Sequence, residues 1–473
     1  MANPVYALAI ELAVGSLTDV TSYCERASFT RAIGDIFTGV RPDDASFELS
    51  NDVGSFSPML QSGLIPGRRI SFAATYSNST YPLYAGRIKN LATRPVLGER
   101  TTVINAVTEV DRMTRTLLNT GIFTDINAGS LFTEIMSRSS VQSFSVDALS
   151  DTVDFAWYRD RNAANAVEQL LRSGYYQFIT DGAGTLSLRG RYFGALGTPV
   201  NTVTEALDLN YQLSDSRVIN RVKVSATPRK QISDVSTVAY VAQTVVIPAS
   251  STIGFFVSFI DPRNPGEGTP VGSIVTPVAS QDYYAAQNED GTGSNFTSNV
   301  SLTITAFGES AVCSLFNGGG SDAYLTRFQI RGYPILSGAN YRPQFDDSSS
   351  QAVYGLMELA VEDSLITDLS YLRDFTTLLV NERKAPRSGV TLAKMNEFPS
   401  VLADDVGDVL AIINSVTGIN SQWAIRRVDH DINMREGLAH QVTYELEGYT
   451  ERQWLVLDHA QFGKLDSGRQ LGL

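Results

Sequence analysis

Two stretches of this chain match each other at a fixed spacing, and that match limits the fold more than any other feature. The first runs Pro66-Gly67-Arg68-Arg69-Ile70-Ser71-Phe72, then Leu83-Tyr84-Ala85-Gly86-Arg87-Ile88, then Val103-Ile104-Asn105-Ala106. The second runs Val406-Gly407-Asp408-Val409-Leu410-Ala411-Ile412, then Trp423-Ala424-Ile425-Arg426-Arg427-Val428, then Val442-Thr443-Tyr444-Glu445. Gly67 falls on Gly407, Ile70 on Leu410, Phe72 on Ile412, Arg87 on Arg427 and Ile88 on Val428 at an offset of 340, with the third strand at 339. This reads as one three-strand β-unit used twice: a Gly-led turn, an alternating strand, a loop of about ten residues, a second strand and a return strand. The alternative is chance similarity between two meanders that share few letters. If the repeat is real, three copies of the chain present six units around one axis. Such a ring can dock on a true sixfold ring. The two segments must then share a strand order.

Length and composition bound the rest. The 473 residues imply about three domains, or one large discontinuous one. A hydrophobic content of 43% excludes global disorder. With 37 Lys and Arg against 50 Asp and Glu, the formal charge is −13, which argues against a phosphate-gripping surface. Cys24 and Cys313 read as buried thiols rather than a disulfide, and no zinc motif can be built from them. The apolar run from Val5 to Val14 carries Glu11 and lacks a basic flank, so it does not predict a signal peptide. No apolar stretch is long enough for a transmembrane helix. The expectation is cytoplasmic synthesis without export by these signals.

The expected fold class is mainly β with an α+β middle. Residues 1–115 hold short alternating strands around 5–14, 45–50, 69–74 and 101–107, divided by Gly15, Asp43-Asp44, Asn51-Asp52, Pro58 and Pro66-Gly67. Residues 116–225 switch to a helical period. Asn127 is placed to cap one helix, a second spans 162–172 with Gly174 as its stop, and a hairpin turns over 181–184. Residues 226–345 read as an inserted β-sandwich with loops at 261–268, 287–294 and 317–321. Residues 346–473 hold the longest helix, expected over 362–382, then strands to about 449 and an irregular arm from Trp454.

A catalytic reading fails on inventory, since GxSxG, HExxH and GxxxxGK[ST] are all missing. In Asp429-His430-Asp431, strand spacing puts both carboxylates on the face opposite the imidazole, so they cannot orient it. His440 and His459 read as isolated, a poor start for a metal site. The pairs Asp43-Asp44, Asp346-Asp347 and Asp404-Asp405 have the residue types for calcium or glycosidase chemistry, but each lies in a turn that favours Asp for conformational reasons. Asn317-Gly318-Gly319-Gly320 lacks the helix and Lys of a phosphate loop. Asn78-Ser79-Thr80 is a glycosylation sequon only in a secretory context. The aromatic content of 10% is compatible with interfaces and with ordinary sheets alike. No catalytic, cofactor or metal residues are assigned, and the expectation is a protein that is not an enzyme and needs no cofactor.

One family resemblance runs through the chain in order. Asp19-Val20-Thr21-Ser22-Tyr23 with Phe29-Thr30-Arg31-Ala32-Ile33-Gly34 resembles the opening of tailed-bacteriophage tail-hub and minor tail proteins. Phe47-Glu48-Leu49-Ser50-Asn51-Asp52-Val53-Gly54-Ser55-Phe56-Ser57-Pro58 resembles that family's N-D-x-G-x-F-x-P element, and Pro66-Gly67-Arg68-Arg69-Ile70 and Tyr84-Ala85-Gly86-Arg87-Ile88 follow it. Further on, Val153-Asp154-Phe155-Ala156-Trp157-Tyr158, Gly182-Ala183-Gly184-Thr185-Leu186-Ser187-Leu188-Arg189, Val218-Ile219-Asn220-Arg221-Val222-Lys223-Val224 and Ser350-Gln351-Ala352-Val353-Tyr354-Gly355 continue the likeness. It covers about 1–225 and 345–450. The family often has Gly-Arg where this chain has Ala32-Ile33-Gly34.

The resemblance implies two tail-tube-like β-barrel domains, at 1–115 and 346–473, flanking an α+β hub domain at 116–225 and the inserted sandwich at 226–345. It implies a homotrimeric hub at the tail tip of a virion, assembled in the host cytoplasm; whether the tail is contractile stays open at this point. The hub would join a sixfold tail tube or distal tail protein to a threefold central fibre or spike protein. Genomic DNA and the tape-measure protein would pass along its axis without specific binding, and an acidic lumen would keep DNA from sticking. Two rivals remain: a monomeric receptor- or carbohydrate-binding adhesin with an aromatic groove in 228–335, and a glycan hydrolase with two carboxylates about 5–10 Å apart in a cleft.

Overall fold

The computed structural model describes residues 3–96, 99–191, 193, 198–435 and 437–448, and the backbone pairing of Trp454–Leu455 with Gln470–Leu471. Of the expected arm from Trp454 onward, only those two short pieces are described; the rest, His459 included, lies outside the described residues. The chain is mainly β with helices concentrated in its middle and C-terminal parts, as its patterning implies.

Alternation builds the largest sheet. Tyr6, Leu8 and Ile10 of Val5–Ala13 are buried, as are Ala45, Phe47 and Leu49 of Asp44–Ser50. Thirteen strands share this sheet. Its longest run is ordered Asp208–Ser214, Arg387–Met395, Ala439–Gly448, Ile419–Asn433, Cys24–Ala32, Asp44–Ser50, Glu99–Val107, Ser79–Val96, Arg69–Tyr76, Val5–Ala13 and Ser16–Asp19. Val409–Asn414 pairs with the first part of Ile419–Asn433, and Asn201–Val203 lies parallel to Val409–Asn414.

The two expected barrels are therefore two halves of one sheet, and no ladder among the described residues closes either half. The join is the pairing of Cys24–Ala32 with Ile419–Asn433. Its cause is physical: each strand would otherwise leave a row of backbone donors and acceptors unpaired beside a buried apolar face. Joining them fuses both halves into one core containing Leu8, Phe47, Phe72 and Ile104 together with Leu392, Ile425, Val428 and Tyr444.

The middle segment packs two helices on a small sheet. Asn127 caps Ala128–Arg138, accepting from the amides of Gly129 and Ser130, and Asn162 caps Ala163–Gly174 in the same way. Gly174 does not turn the chain as expected. It stays helical, and Tyr175 takes the left-handed conformation at φ 56°. Gly174 is needed for space instead, because a Cβ there would lie 2.0 Å from the Tyr176 ring. Gln177–Thr180 and Leu186–Arg189 form the expected hairpin.

The insertion is a pair of sheets. One gathers around the long strand Ala323–Ser337, and the other holds Thr252–Ser258, Ser310–Asn317 and Val300–Ala306. Val238, Phe259, Leu315, Leu325 and Ile330 fill the space between them. The long C-terminal helix starts later than expected, at Leu369, and ends at Arg383. Asp368 caps it, while Glu358–Val361 before it is drawn into parallel pairing with Arg221–Val224.

Candidate functional site

The internal repeat is visible as geometry. Gly67 and Gly407 adopt φ 90° and 89°, a region that glycine enters without penalty. The Gly67 amide donates to the Ile88 carbonyl at 2.7 Å, and the Ile88 amide returns to the Arg68 carbonyl at 2.9 Å. The Gly407 amide likewise donates to the Ile425 carbonyl at 2.9 Å, and Ile425 returns to Asp408 at 2.8 Å. A β-bulge follows at once in both units, between Ile88 and Asn90 and between Ile425 and Arg427. Across the return strands, Ile88 faces Ala106 and Ile425 faces Leu446.

These matches correct the expected register. The first strand corresponds at the expected offset of 340, the third at 340 instead of 339, and the middle strand at 337, so Ile88 matches Ile425 and not Val428. The inter-strand connection is also shorter than expected. Tyr76 pairs with Ser79 across a two-residue turn in which Ser77 and Asn78 have φ 49° and 65°. Asn414 pairs with Ile419 in the second unit. Each unit has a fourth strand that the sequence comparison missed. Asp44–Ser50 lies beside Glu99–Val107, and Arg387–Met395 lies beside Ala439–Gly448 in the same sense. Outside these come Cys24–Ala32 in one unit and Asp208–Ser214 in the other, again in corresponding places.

The seam between the units has a buried face and an open one. On the buried face Ala27 opposes Ile432, Phe29 opposes His430 and Arg31 opposes Val428. Arg31 is 3% exposed; it donates to the Leu83 carbonyl at 2.7 Å and pairs with Asp405 at 3.0 Å. On the open face Arg26 grips Asp431 with two bonds of 3.0 and 2.6 Å, Thr30 donates to Asp429, and Arg427 pairs with Asp429 at 2.9 Å.

Asp429 and Asp431 therefore do face away from His430. His440, expected to be isolated, is not. Tyr6, His440 and His430 form a buried chain with contacts of 2.8 and 2.9 Å. Burial and the Arg31 charge hold His430 well below the usual imidazole range, and burial brings His440 down to about 4. Both rings stay neutral in the fold at neutral pH.

Each candidate carboxylate has a structural partner. Asp43 is buried, accepts from the Ala32 amide at 3.1 Å and is pushed up to about 7 by burial, while its neighbour Asp44 is exposed. Asp404 meets Lys394 at 3.3 Å and accepts from Asn201, and Asp405 holds Arg31. Asp346 accepts from Gln344, Arg221 and Gln351 and falls to about 2, while Asp347 caps Ser348–Tyr354. No cluster of three metal-ligating side chains occurs among the described residues. Asn317 holds its glycine turn together by donating to the carbonyls of Ile247 and Ser321 at 3.0 and 2.9 Å. Cys24 and Cys313 are free and buried in different cores.

The sequence comparison also missed Glu447. Burial works to raise its pKa, but Arg383, Arg426 and Arg387 prevail and hold it at about 2. It joins the C-terminal helix to the seam strand, with Arg383 at 2.5 Å, Arg387 at 3.1 Å and Arg426 at 3.6 Å.

Two solved structures share the overall fold over nearly their whole length. The 43 kDa tail protein of prophage MuSo2 from Shewanella oneidensis is 7% identical, with a TM-score of 0.50 over 93% of this chain and 98% of that one. The tail protein from Neisseria meningitidis MC58 is 8% identical, with a TM-score of 0.51 over 94% and 98%. This is a tail-protein fold. No family model matches the chain, and no curated protein matches its sequence. The tail-protein fold extends through the helical middle and the C-terminal strands as well as the N-terminal sheet, in line with the collinear resemblance in the sequence. No described helix is long and apolar enough to cross a membrane.

Proposed function

We propose that this chain is a structural, non-enzymatic component of a phage virion: the hub at the tail tip, working as a homotrimer. Three copies bring six related four-strand units around one axis. One face of the ring then matches a sixfold tail tube or distal tail ring, and the other carries a threefold central fibre or spike protein. The observation that carries this reading is the doubled unit, with its shared strand order, glycine turn and bulge.

The open face of the sheet supports a channel for DNA and the tape-measure protein. By register, that face of its eight central strands carries Asp44, Glu48, Asp208, Asp429, Asp431, Glu445 and Glu447 against Arg26, Arg87, Arg94, Arg387 and Arg427. That excess of two carboxylates works against adhesion of passing DNA. The deciding experiment is native mass spectrometry of the full chain, with low-resolution imaging down the particle axis. A trimer with a sixfold-like outline is expected; a protein that stays monomeric at assembly concentrations overturns the reading.

A second reading has one observation in its favour. A cleft between the middle segment and the insertion is lined by Trp157, Tyr158, Phe256 and Phe307, the aromatic surface an adhesin needs. Phe256 is 75% exposed. The cleft's described lining contains Glu309 as its acidic residue, where a glycan hydrolase needs two. Glycan-array binding that is lost in Trp157→Ala favours the adhesin. Turnover of surface glycans by the purified chain overturns the non-enzymatic reading.

A further inference from the structure

Trp157 and Tyr158 line a second cavity besides the aromatic cleft, and it holds about 240 Å³. Four segments far apart in the sequence converge on it. Phe155, Tyr158 and Arg161 come from the middle segment, and Gln169 from the helix Ala163–Gly174. Arg229 comes from the strand that enters the insertion, and Ser364 and Thr367 from the loop ahead of the C-terminal helix. Tyr158, Ser364, Leu365 and Thr367 are buried, whereas Arg161 is exposed and Arg229 half-buried. The cavity thus has a closed floor and an open, cationic mouth.

Its polar groups are poised without partners. Neither the Arg161 nor the Arg229 guanidinium bonds or ion-pairs with a described residue; each lies over an aromatic ring instead. Arg161 is 5.8 Å from the Tyr158 centroid and Arg229 is 5.0 Å from that of Phe155. Stacking fixes the plane of a guanidinium and leaves its edge N–H groups free for an oxyanion. Elsewhere guanidiniums meet carboxylates, as those of Arg26, Arg221, Arg331 and Arg383 do. Tyr158 is 2% exposed, yet its hydroxyl has no partner, and Gln169 keeps a buried Oε1 that accepts nothing. The Gln169 amide nitrogen donates to the Asp363 carbonyl at 2.8 Å, which commits Oε1 to the role of acceptor. Buried polar atoms left unpaired are rare in native folds, and two of them line this one cavity.

We propose that this cavity binds the charged unit of an anionic glycan: a sugar ring bearing a carboxylate or a phosphate. This rests on the second reading, the Trp157 cleft as a glycan surface, which a hub can carry as well as a monomer, and it names the ligand class. Two free guanidiniums and the Tyr158 hydroxyl are donors that an oxyanion accepts from. The acceptor Gln169 Oε1 calls for a ligand that also donates, which a sugar hydroxyl does and a bare carboxylate does not. The cavity is smaller than the roughly 300–1,000 Å³ of drug-sized sites, so it takes one unit and not a chain. From Trp157 the larger cleft continues to Phe256 and Phe307, whose faces can carry neighbouring sugar rings. In that cleft Arg159 and Glu309 offset each other. In the cavity Asp363 is the one carboxylate of the described lining against two arginines. A positive excess inside a chain of charge −13 favours an anion over a neutral sugar.

The test is calorimetry and saturation-transfer NMR on the full chain, at constant ionic strength, with glucuronate, glucose-6-phosphate and glucose as probes. One of the charged sugars is expected to bind about tenfold or more tightly than glucose, and which one it is separates carboxylate from phosphate recognition. Arg161→Gln and Arg229→Gln are each expected to weaken that binding about tenfold. Tyr158→Phe, which removes only the unpaired hydroxyl, is expected to weaken it severalfold. Arg115→Gln, at an exposed ion pair elsewhere, is expected to bind like the parent. Melts without ligand establish that each variant is folded. If glucose binds as well as the charged sugars, or the arginine variants bind like the parent, the anion site is wrong while the glycan reading of the cleft survives. Inorganic phosphate binding as tightly as glucose-6-phosphate overturns the sugar assignment. Binding of none of the three sugars overturns the inference, and a blank glycan array beside it overturns the cleft reading as well.

Discussion

Phe29 and His430 stack face to face across the internal seam, with ring centroids 4.4 Å apart and planes 20° from parallel. The imidazole is buried on the N-terminal half's aromatic core, and its Nδ1 meets His440. The seam therefore holds two neutral imidazoles, each of which resists taking up a second proton.

This makes the join sensitive to acid. Both histidines have folded pKa values below the ordinary 6.5, so the stability they contribute is complete above that pH. As pH falls from 6.5 towards 4, the unfolded chain gains protons that the folded chain refuses. For His440 alone the loss reaches about 3 kcal/mol. Thermal melts across that window are expected to show a steep decline, and His430→Phe, which keeps the stack without the titrating ring, a shallower one. A flat profile in the parent protein would refute this.

Asp43 has the opposite dependence. Burial raises its carboxyl to about 7, so the fold favours the protonated form, and stability is lost as pH rises from 3.8 through 7. Asp43→Asn retains an acceptor for the Ala32 amide and removes the charge. It is expected to melt near the parent at pH 4 and to be more stable by about 4 kcal/mol at pH 8. Denaturant titrations at both pH values check this.

Glu447 neutralises the Arg383, Arg387 and Arg426 guanidiniums in a buried setting. Replacement by Gln leaves those cations unmatched, and a loss of about 3–5 kcal/mol is expected. Chemical unfolding with helix and tryptophan signals followed together measures it, and a change below 1 kcal/mol would contradict the arrangement.

The two repeat glycines separate backbone strain from crowding. At Gly67 a Cβ meets nothing within 4 Å, so Gly67→Ala is expected to lose only the left-handed penalty of about 1–2 kcal/mol. At Gly407 a Cβ would lie 2.1 Å from the Phe193 ring, so Gly407→Ala is expected to be clearly worse. Gly407→Ala combined with Phe193→Ala should bring the two sites level, as a double-mutant cycle can show.

Much of the fold was legible in local chemistry. Asn127 ahead of an apolar helical stripe announced its cap, and the alternation in 45–50 and 69–74 announced strands with the correct buried faces. The placement of Asp429 and Asp431 opposite His430 followed from the two-residue strand period alone. The repeat was legible too, but its middle strand was misregistered by three positions and its return strand by one. Letter matching weighs Arg87 against Arg427, whereas the bulge, which no letter marks, sets the true correspondence of Ile88 with Ile425.

What the sequence by itself determined is the period of each element, the caps and turns that bound it, and the presence of a doubled unit, because these depend on neighbours a few residues away. Only the tertiary structure decided that the two units share one sheet, that His430 and His440 touch, and that Arg161 and Arg229 line one cavity. The physical reason is that strand pairing is made between residues hundreds of positions apart: the backbone amide and carbonyl carry no side-chain identity, so which edge meets which is fixed by the fit of whole buried faces.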